Sequence, residues 1–220
     1  MTAPVRFWWD PMCPFAWITS RWVREVQRQS GLEVEWRCIS LRLLNEHRDY
    51  TTDFSAGHVA GHGSGLKLLR VAAAVRAEQG PARLADLYTQ FGGDVHVRGR
   101  RAEIVDHYEA GFPDYLRSVG IEERFVAEAN NEAWDDLLRA EKDEALALTG
   151  PNVGTPIIAY RREDVEQAFF GPVLSRVPTP DETMPLWDAV WCLATFSGFA
   201  EIKRTKRDRI DLASSLDLEG

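Results

Sequence analysis

The stretch that most restricts the fold is residues 5–41. Val5-Arg6-Phe7-Trp8-Trp9 is short, apolar and aromatic, the pattern of a buried strand. Asp10-Pro11-Met12 interrupts it, and Cys13 then precedes Pro14, a residue favoured at the first position of a helix. Phe15, Ile18, Trp22 and Val26 follow at helical spacing until Ser30-Gly31 ends the run. In residues 32–41, Leu32, Val34, Trp36 and Cys38 alternate with Glu33, Glu35 and Arg37, which predicts a second strand with one polar side. A strand, a helix and a strand in close succession form a parallel, right-handed unit whose sheet needs further strands to complete it.

Those strands are not in the middle of the chain. Residues 45–150 carry helical patterns only: Leu66, Leu69, Val71 and Val75; then Leu84, Leu87, Tyr88 and Phe91 after Pro81; then Ile104, Val105 and Tyr108. Asn131 is placed to cap a helix bearing Trp134, Leu137, Leu138 and Leu148. Residues 156–160 and 165–170 read as a hairpin, and residues 185–196 as a final helix. The expectation is an α/β unit from residues 1–44 and 151–210, an all-helical insertion at 45–150, and a loose tail at 211–220. Its sheet draws on residues 5–9, 34–41, 156–160 and 165–170.

The charge balance excludes some functions. With 26 basic against 34 acidic residues the net charge is −8, which argues against non-specific nucleic-acid binding. The one basic cluster, Lys203, Arg204, Lys206, Arg207 and Arg209, reads as a solvated surface. No apolar run is long enough to span a membrane, and none precedes the first strand, so a cytoplasmic protein is expected. Three cysteines at wide spacing, Cys13, Cys38 and Cys192, are no disulfide framework and suit a reducing compartment. Cys38 and Cys192 fall on apolar faces and are expected to be buried and inert. His58 and His62 lack a partner cysteine or carboxylate, so no metal site is expected; the glycine-rich stretch 57–65 around them reads as a mobile loop.

Cys13-Pro14-Phe15-Ala16 after the first strand, with Val153-Gly154-Thr155-Pro156 before the hairpin, resembles the DsbA-like branch of the thioredoxin fold. Residues 7–22, Leu44-Asn45-Glu46 and residues 169–175 are similar to the actinobacterial mycothiol-dependent nitroreductase family. The resemblance implies a thioredoxin fold with a helical insertion, a cis-proline at Pro156 facing Cys13, and an oxidoreductase whose cosubstrate is mycothiol or glutathione. It also implies a small electrophilic substrate, room for a mycoredoxin-like reductant, and Asp10, Trp17, Asn45 and Gly154 as residues lining the thiol or substrate site, with Pro14, Ala16 and Thr155 in support.

The chemistry of Cys13 can also be read without the family. A thiol reacts as its thiolate, and free N–H groups at a helix start stabilise that charge, so an accessible Cys13 of lowered pKa is expected. Where the family's dithiol members carry a second cysteine this chain has Ala16, so Cys13 cannot close a disulfide within its own motif. A soluble thiol must then resolve any mixed disulfide. The alternatives are an enzyme like the kappa-class glutathione transferases or the 2-hydroxychromene-2-carboxylate isomerases, and a member of the fold that binds a ligand or partner without catalysis. An accessible, low-pKa Cys13 would favour the enzyme readings, and a buried Cys13 of normal pKa the last.

Overall fold

The computed structural model describes residues 4–162 and 165–218. The elements run β1 (Val5–Trp9), α1 (Pro14–Ser30), β2 (Val34–Cys38), α2 (Leu41–Leu44), α3 (Ala56–Gln79), α4 (Arg83–His96), α5 (Arg101–Val105), α6 (Pro113–Ser118), α7 (Glu123–Val126), α8 (Asp135–Thr149), β3 (Ile157–Arg162), β4 (Val165–Phe170) and α9 (Pro180–Ala194). Short 3-10 turns follow α7, precede α8 and close the chain at Leu212–Leu218. β3 runs on through Arg161 and Arg162, between the two segments read as a hairpin, and Glu163 and Asp164 lie outside the described residues.

The sheet has the order β2-β1-β3-β4. β1 pairs parallel to β2, with Trp9 opposite Cys38, and antiparallel to β3, with Phe7 opposite Ile158. Successive residues of β1 point to opposite faces. Val5, Phe7 and Trp9 join the main core, where Trp9 stacks on Tyr88 of α4 at 4.1 Å and Trp22 of α1 meets Trp187 of α9. Trp8 faces the other side, with Ile157, Ala159, Ala168 and Ala145 of α8. α8 also reaches the end of β2, where the Cys38 N–H donates to the Glu141 carboxylate at 2.8 Å. Arg70 of α3 and Asp135 of α8 form a buried two-pronged ion pair at 2.7 and 2.8 Å.

Several expectations need correction. β2 stops at Cys38 because the Ser40 hydroxyl caps α2, accepting from the N–H groups of Arg42 and Leu43. Asn131 caps a 3-10 turn, Glu132–Trp134, that leads into α8. α9 begins at Pro180, where Thr179 and Glu182 form a reciprocal cap, and ends at Ala194. Cys192 is exposed, because α9 turns Trp187 and Ala194 inward and carries Cys192 to the outer face. The glycine-rich stretch 57–65 is the first half of α3: Ser55 caps it, and packing outweighs the roughly 1 kcal/mol that each glycine costs a helix. The tail is also tied down. The Asp211 N–H donates to the Ser175 carbonyl, and Ser215 is fully buried. Among the described residues no helix is long and apolar enough to cross a membrane.

Candidate active site around Cys13

The loop leaving β1 is organised by one carboxylate. Asp10 is fully buried; its Oδ1 accepts from the Met12 N–H and its Oδ2 from the Leu41 N–H, both at 2.7 Å. The Cys13 N–H closes the turn on the Asp10 carbonyl at 3.1 Å. α3 lies directly against this turn: a Cβ on Gly65 would stand 2.7 Å from Asp10 Oδ1 and 3.1 Å from Met12 Cγ. Burial raises the Asp10 pKa to about 7, against the opposing pull of the Leu41 and Met12 N–H groups.

Cys13 is the N-cap of α1, in extended conformation, with Pro14 at the first helical position. Its Sγ accepts from the Ala16 N–H at 3.5 Å, a long contact that sulfur's size permits, and its thiol donates to the Thr155 carbonyl at 3.3 Å. Pro156 follows a cis bond, and the Thr155 hydroxyl donates to the Trp8 carbonyl. The fold therefore brings together Asp10, Cys13, Pro14, Ala16, Thr155 and Pro156 from both ends of the chain.

The expectation of an accessible, low-pKa thiol is overturned. Cys13 is 7% exposed, and its pKa is pushed up to about 12. Loss of solvent is the leading cause; the Ala16 N–H opposes it and the Asp10 charge reinforces it. One or two N–H groups at the helix start do not replace the water that a thiolate loses on burial.

Trp17 does not wall a pocket. It is fully buried, its indole N–H donates to Ser215 Oγ at 3.0 Å, the Arg21 guanidinium lies 4.2 Å over its ring, and a Cβ on Gly92 would collide with it. Asn45 caps the end of α2 by donating to the Leu41 carbonyl at 2.8 Å, so it acts on the residue that binds Asp10. Gly154 packs under the Phe170 ring, where a Cβ would stand at 3.3 Å. The sequence reading missed His96, whose Nε2 lies 2.9 Å from the Pro11 carbonyl and whose pKa burial lowers to about 4, which makes it a neutral donor. It also missed Gly65 and Ser215. A spacing of four between Gly61 and Gly65 was the available signal for the first; nothing local marks the second.

His62 Nδ1 pairs with the Tyr50 hydroxyl at 2.9 Å and His58 Nδ1 with Ser55 Oγ at 2.8 Å. Among the described residues no three His, Cys, Asp or Glu side chains are grouped to hold a metal ion. A cavity of about 380 Å³ opens in the helical insertion, lined by Ala74, Ala77, Phe125 and Trp134 among others. Its charges are paired internally, Arg124 with Glu78 and the Trp134 N–H with Glu128, and it shares no residue with the Cys13 turn.

Comparison with known proteins bears on this geometry. The profile of the Rv2466c-like family, described as mycothiol-dependent nitroreductase Rv2466c, matches residues 12–204. The chain belongs to that family. The Rv2466c-like match includes Cys13, α1, the helical insertion, the Thr155-Pro156 turn and α9. The chain is also 28% identical over 207 residues to uncharacterized protein Rv2286c of Mycobacterium tuberculosis, which spans 92% of this chain and 82% of that one. Among solved structures it is similar to the cytosolic disulfide reductase DsbM of Pseudomonas aeruginosa, at 16% identity and a TM-score of 0.52 over 87% of this chain and all of that one. A DsbM structure with GSH (glutathione) gives 15% and 0.50 over the same shares. The fold is thus the DsbA-like thioredoxin fold with its helices inserted between β2 and β3.

Proposed function

We propose that the chain is a cytoplasmic, thiol-dependent oxidoreductase or transferase in which Cys13 and mycothiol or glutathione act on a small electrophile. The observation that carries this reading is the seat of Cys13 Sγ, 3.5 Å from the Ala16 N–H at a helix start and 3.3 Å from the Thr155 carbonyl before a cis proline. The family's description and the glutathione-bound DsbM structure support a low-molecular-weight thiol as cosubstrate.

The buried thiol explains how such an enzyme stays quiet at rest. Both thiols contain amide groups, and an amide N–H donated to the Thr155 carbonyl displaces the Cys13 thiol from it. The sulfur then keeps the Ala16 N–H, which favours the thiolate. Attack of the Cys13 thiolate on a disulfide breaks its S–S bond, expels one thiolate and leaves a mixed disulfide on Cys13; a second thiol molecule then attacks that disulfide and releases Cys13 as thiolate, because Ala16 offers no sulfur. Attack on an electrophile forms an S–C bond and expels the electrophile's leaving group. Asp10 holds the turn; with both oxygens taken by backbone N–H groups it positions Cys13 without touching substrate.

One observation favours a second reading. A thiol that is 7% exposed with a pKa near 12 suits a ligand- or partner-binding protein that catalyses nothing. Intact mass separates the two, in a Cys192→Ser background that removes the exposed thiol. The enzyme reading expects native protein with glutathione disulfide or mycothiol disulfide to gain one adduct on Cys13. Excess thiol should release it and Cys13→Ser should abolish it. Electrophile turnover should fall at least about a hundredfold in Cys13→Ser, the loss of a covalent nucleophile. No adduct under native conditions leaves the binding reading standing.

A further inference from the structure

We propose that residues 202–209 form a docking strip for an acidic segment of a partner protein, one that also carries an apolar side chain. The proposal does not depend on the chemistry of Cys13.

Lys203, Arg204, Lys206, Arg207 and Arg209 fall within seven consecutive positions that hold one acidic residue, Asp208. Chain continuity keeps them together, and every residue from 201 to 209 is exposed. Acidic residues outnumber basic ones, 34 to 26, so the chain has carboxylates enough for its own cations. Most described arginines do meet one: Arg6 with Glu166, Arg70 with Asp135, Arg176 with Glu182. The strip departs from that pattern. Lys203 Nζ stands 3.8 Å from Glu201 Oε1, and Arg204, Lys206 and Arg209 meet no carboxylate among the described residues.

The strip is anchored on both sides. Before it, the Phe199 ring packs against Phe169 of β4 at 5.7 Å. After it, the Asp211 N–H donates to the Ser175 carbonyl at 2.7 Å, and Ser215 Oγ accepts from the Trp17 indole at 3.0 Å. Within it, Arg207 lays its guanidinium 5.3 Å from the Phe15 ring, which sets the strip beside the first turn of α1. Among the described residues no main-chain hydrogen bond forms between these anchors, so the N–H and C=O groups of the strip are open to an incoming segment. Ile202, at its head, is 76% exposed, and Phe196 before it is 64% exposed. Cations fixed beside uncovered apolar side chains are the materials of an interface with an apolar centre and a charged rim.

The charge of the whole molecule selects the kind of partner. At a net charge of −8, the rest of the chain repels an extended anionic surface such as a nucleic-acid duplex or an anionic bilayer. A short acidic segment lies along the strip without meeting that repulsion, and its apolar side chain covers Ile202.

The test uses the full chain and the fluorescence anisotropy of a fluorescein-labelled peptide that repeats Glu-Asp-Leu. This peptide should bind, and a Gln-Asn-Leu repeat of the same length should not. Affinity should fall about tenfold between roughly 50 and 200 mM salt, because exposed charge pairs are screened. Lys203→Gln combined with Arg204→Gln should also lower it about tenfold, near threefold for each exposed pair removed. Arg204→Lys, which keeps the charge, should largely preserve it. Ile202→Ser should weaken the Glu-Asp-Leu peptide about threefold and leave a Glu-Asp-Ser repeat unchanged. All the substituted side chains are exposed, so the variants should keep the native circular dichroism and thermal midpoint. Absence of peptide binding, or binding that the double substitution leaves unchanged, overturns the inference. So does equal or tighter binding of duplex DNA or of phosphatidylserine vesicles.

Discussion

Cys13 is held by two backbone groups of opposite character, and the balance between them sets its reactivity. The Ala16 N–H favours the thiolate, whereas the Thr155 carbonyl accepts a hydrogen bond that only the thiol can give. Asp10 tips the balance further toward the thiol. With a pKa near 7 it is ionised throughout the range in which Cys13 titrates, so its charge pushes the Cys13 pKa up. Asp10→Asn removes that charge. The midpoint of Cys13 alkylation against pH should therefore move down in the variant, though burial, the larger cause, remains. Asparagine has one acceptor oxygen where aspartate has two, so either the Met12 or the Leu41 N–H loses its partner. Urea unfolding should show a loss of about 1–3 kcal/mol, the cost of one unsatisfied buried donor. An unmoved alkylation midpoint would mean that Asp10 shapes the turn without acting on the thiol electrostatically.

Among the elements, those that local periodicity and local chemistry specify were legible in the sequence, and those that distant contacts specify were not. β1, the Cys13-Pro14 helix start, α1 and the β3–β4 hairpin follow from alternation, helical spacing and proline placement, all properties of neighbouring residues. Gly154-Thr155-Pro156 was paired with Cys13 through the resemblance to a family, because no local rule joins residues 142 positions apart. The first half of α3 was misread because its glycines look like a loop until Asp10 and Met12 are known to press against Gly65. The closing segment Leu212–Leu218 was misread for the same kind of reason: the buried partner of Ser215 is Trp17, 198 residues away. Ser215→Ala leaves the Trp17 indole N–H buried without an acceptor and should cost about 1–3 kcal/mol in urea unfolding. Truncation after Arg209 should lower the thermal midpoint and shift tryptophan emission to longer wavelength, as Trp17 meets water. An unchanged spectrum would show that the segment adds nothing to the cover over α1.

At the scale of the whole molecule, pH should act through the helical insertion and its contact with the turn after β1, because buried titratable groups lie there: His62 against Tyr50 within the insertion, and His96 against Pro11. His96 at the end of α4 and His62 in α3 are both held neutral, burial lowering each from 6.5 to about 4. A depressed histidine pKa contributes stability that is present above 6.5 and is lost as pH falls through about 4. Asp10 has the opposite sign. Its pKa rises from 3.8 to about 7, so its contribution is fully present below 3.8 and is lost as pH rises through about 7. Acidification from pH 7 to 4 thus weakens the protein through two histidines and strengthens it through one carboxyl, and the histidines should prevail. The thermal midpoint of native protein should fall across this window. It should fall less in His96→Gln, where one of the two protonations is gone and the amide can still donate to the Pro11 carbonyl, and more in Asp10→Asn, where the compensating group is gone. Thermal denaturation of the three proteins between pH 7 and 4 measures all three slopes. If His96→Gln follows the native profile, protonation of His96 does not drive the acid loss, and the contact with the turn after β1 is held by packing alone.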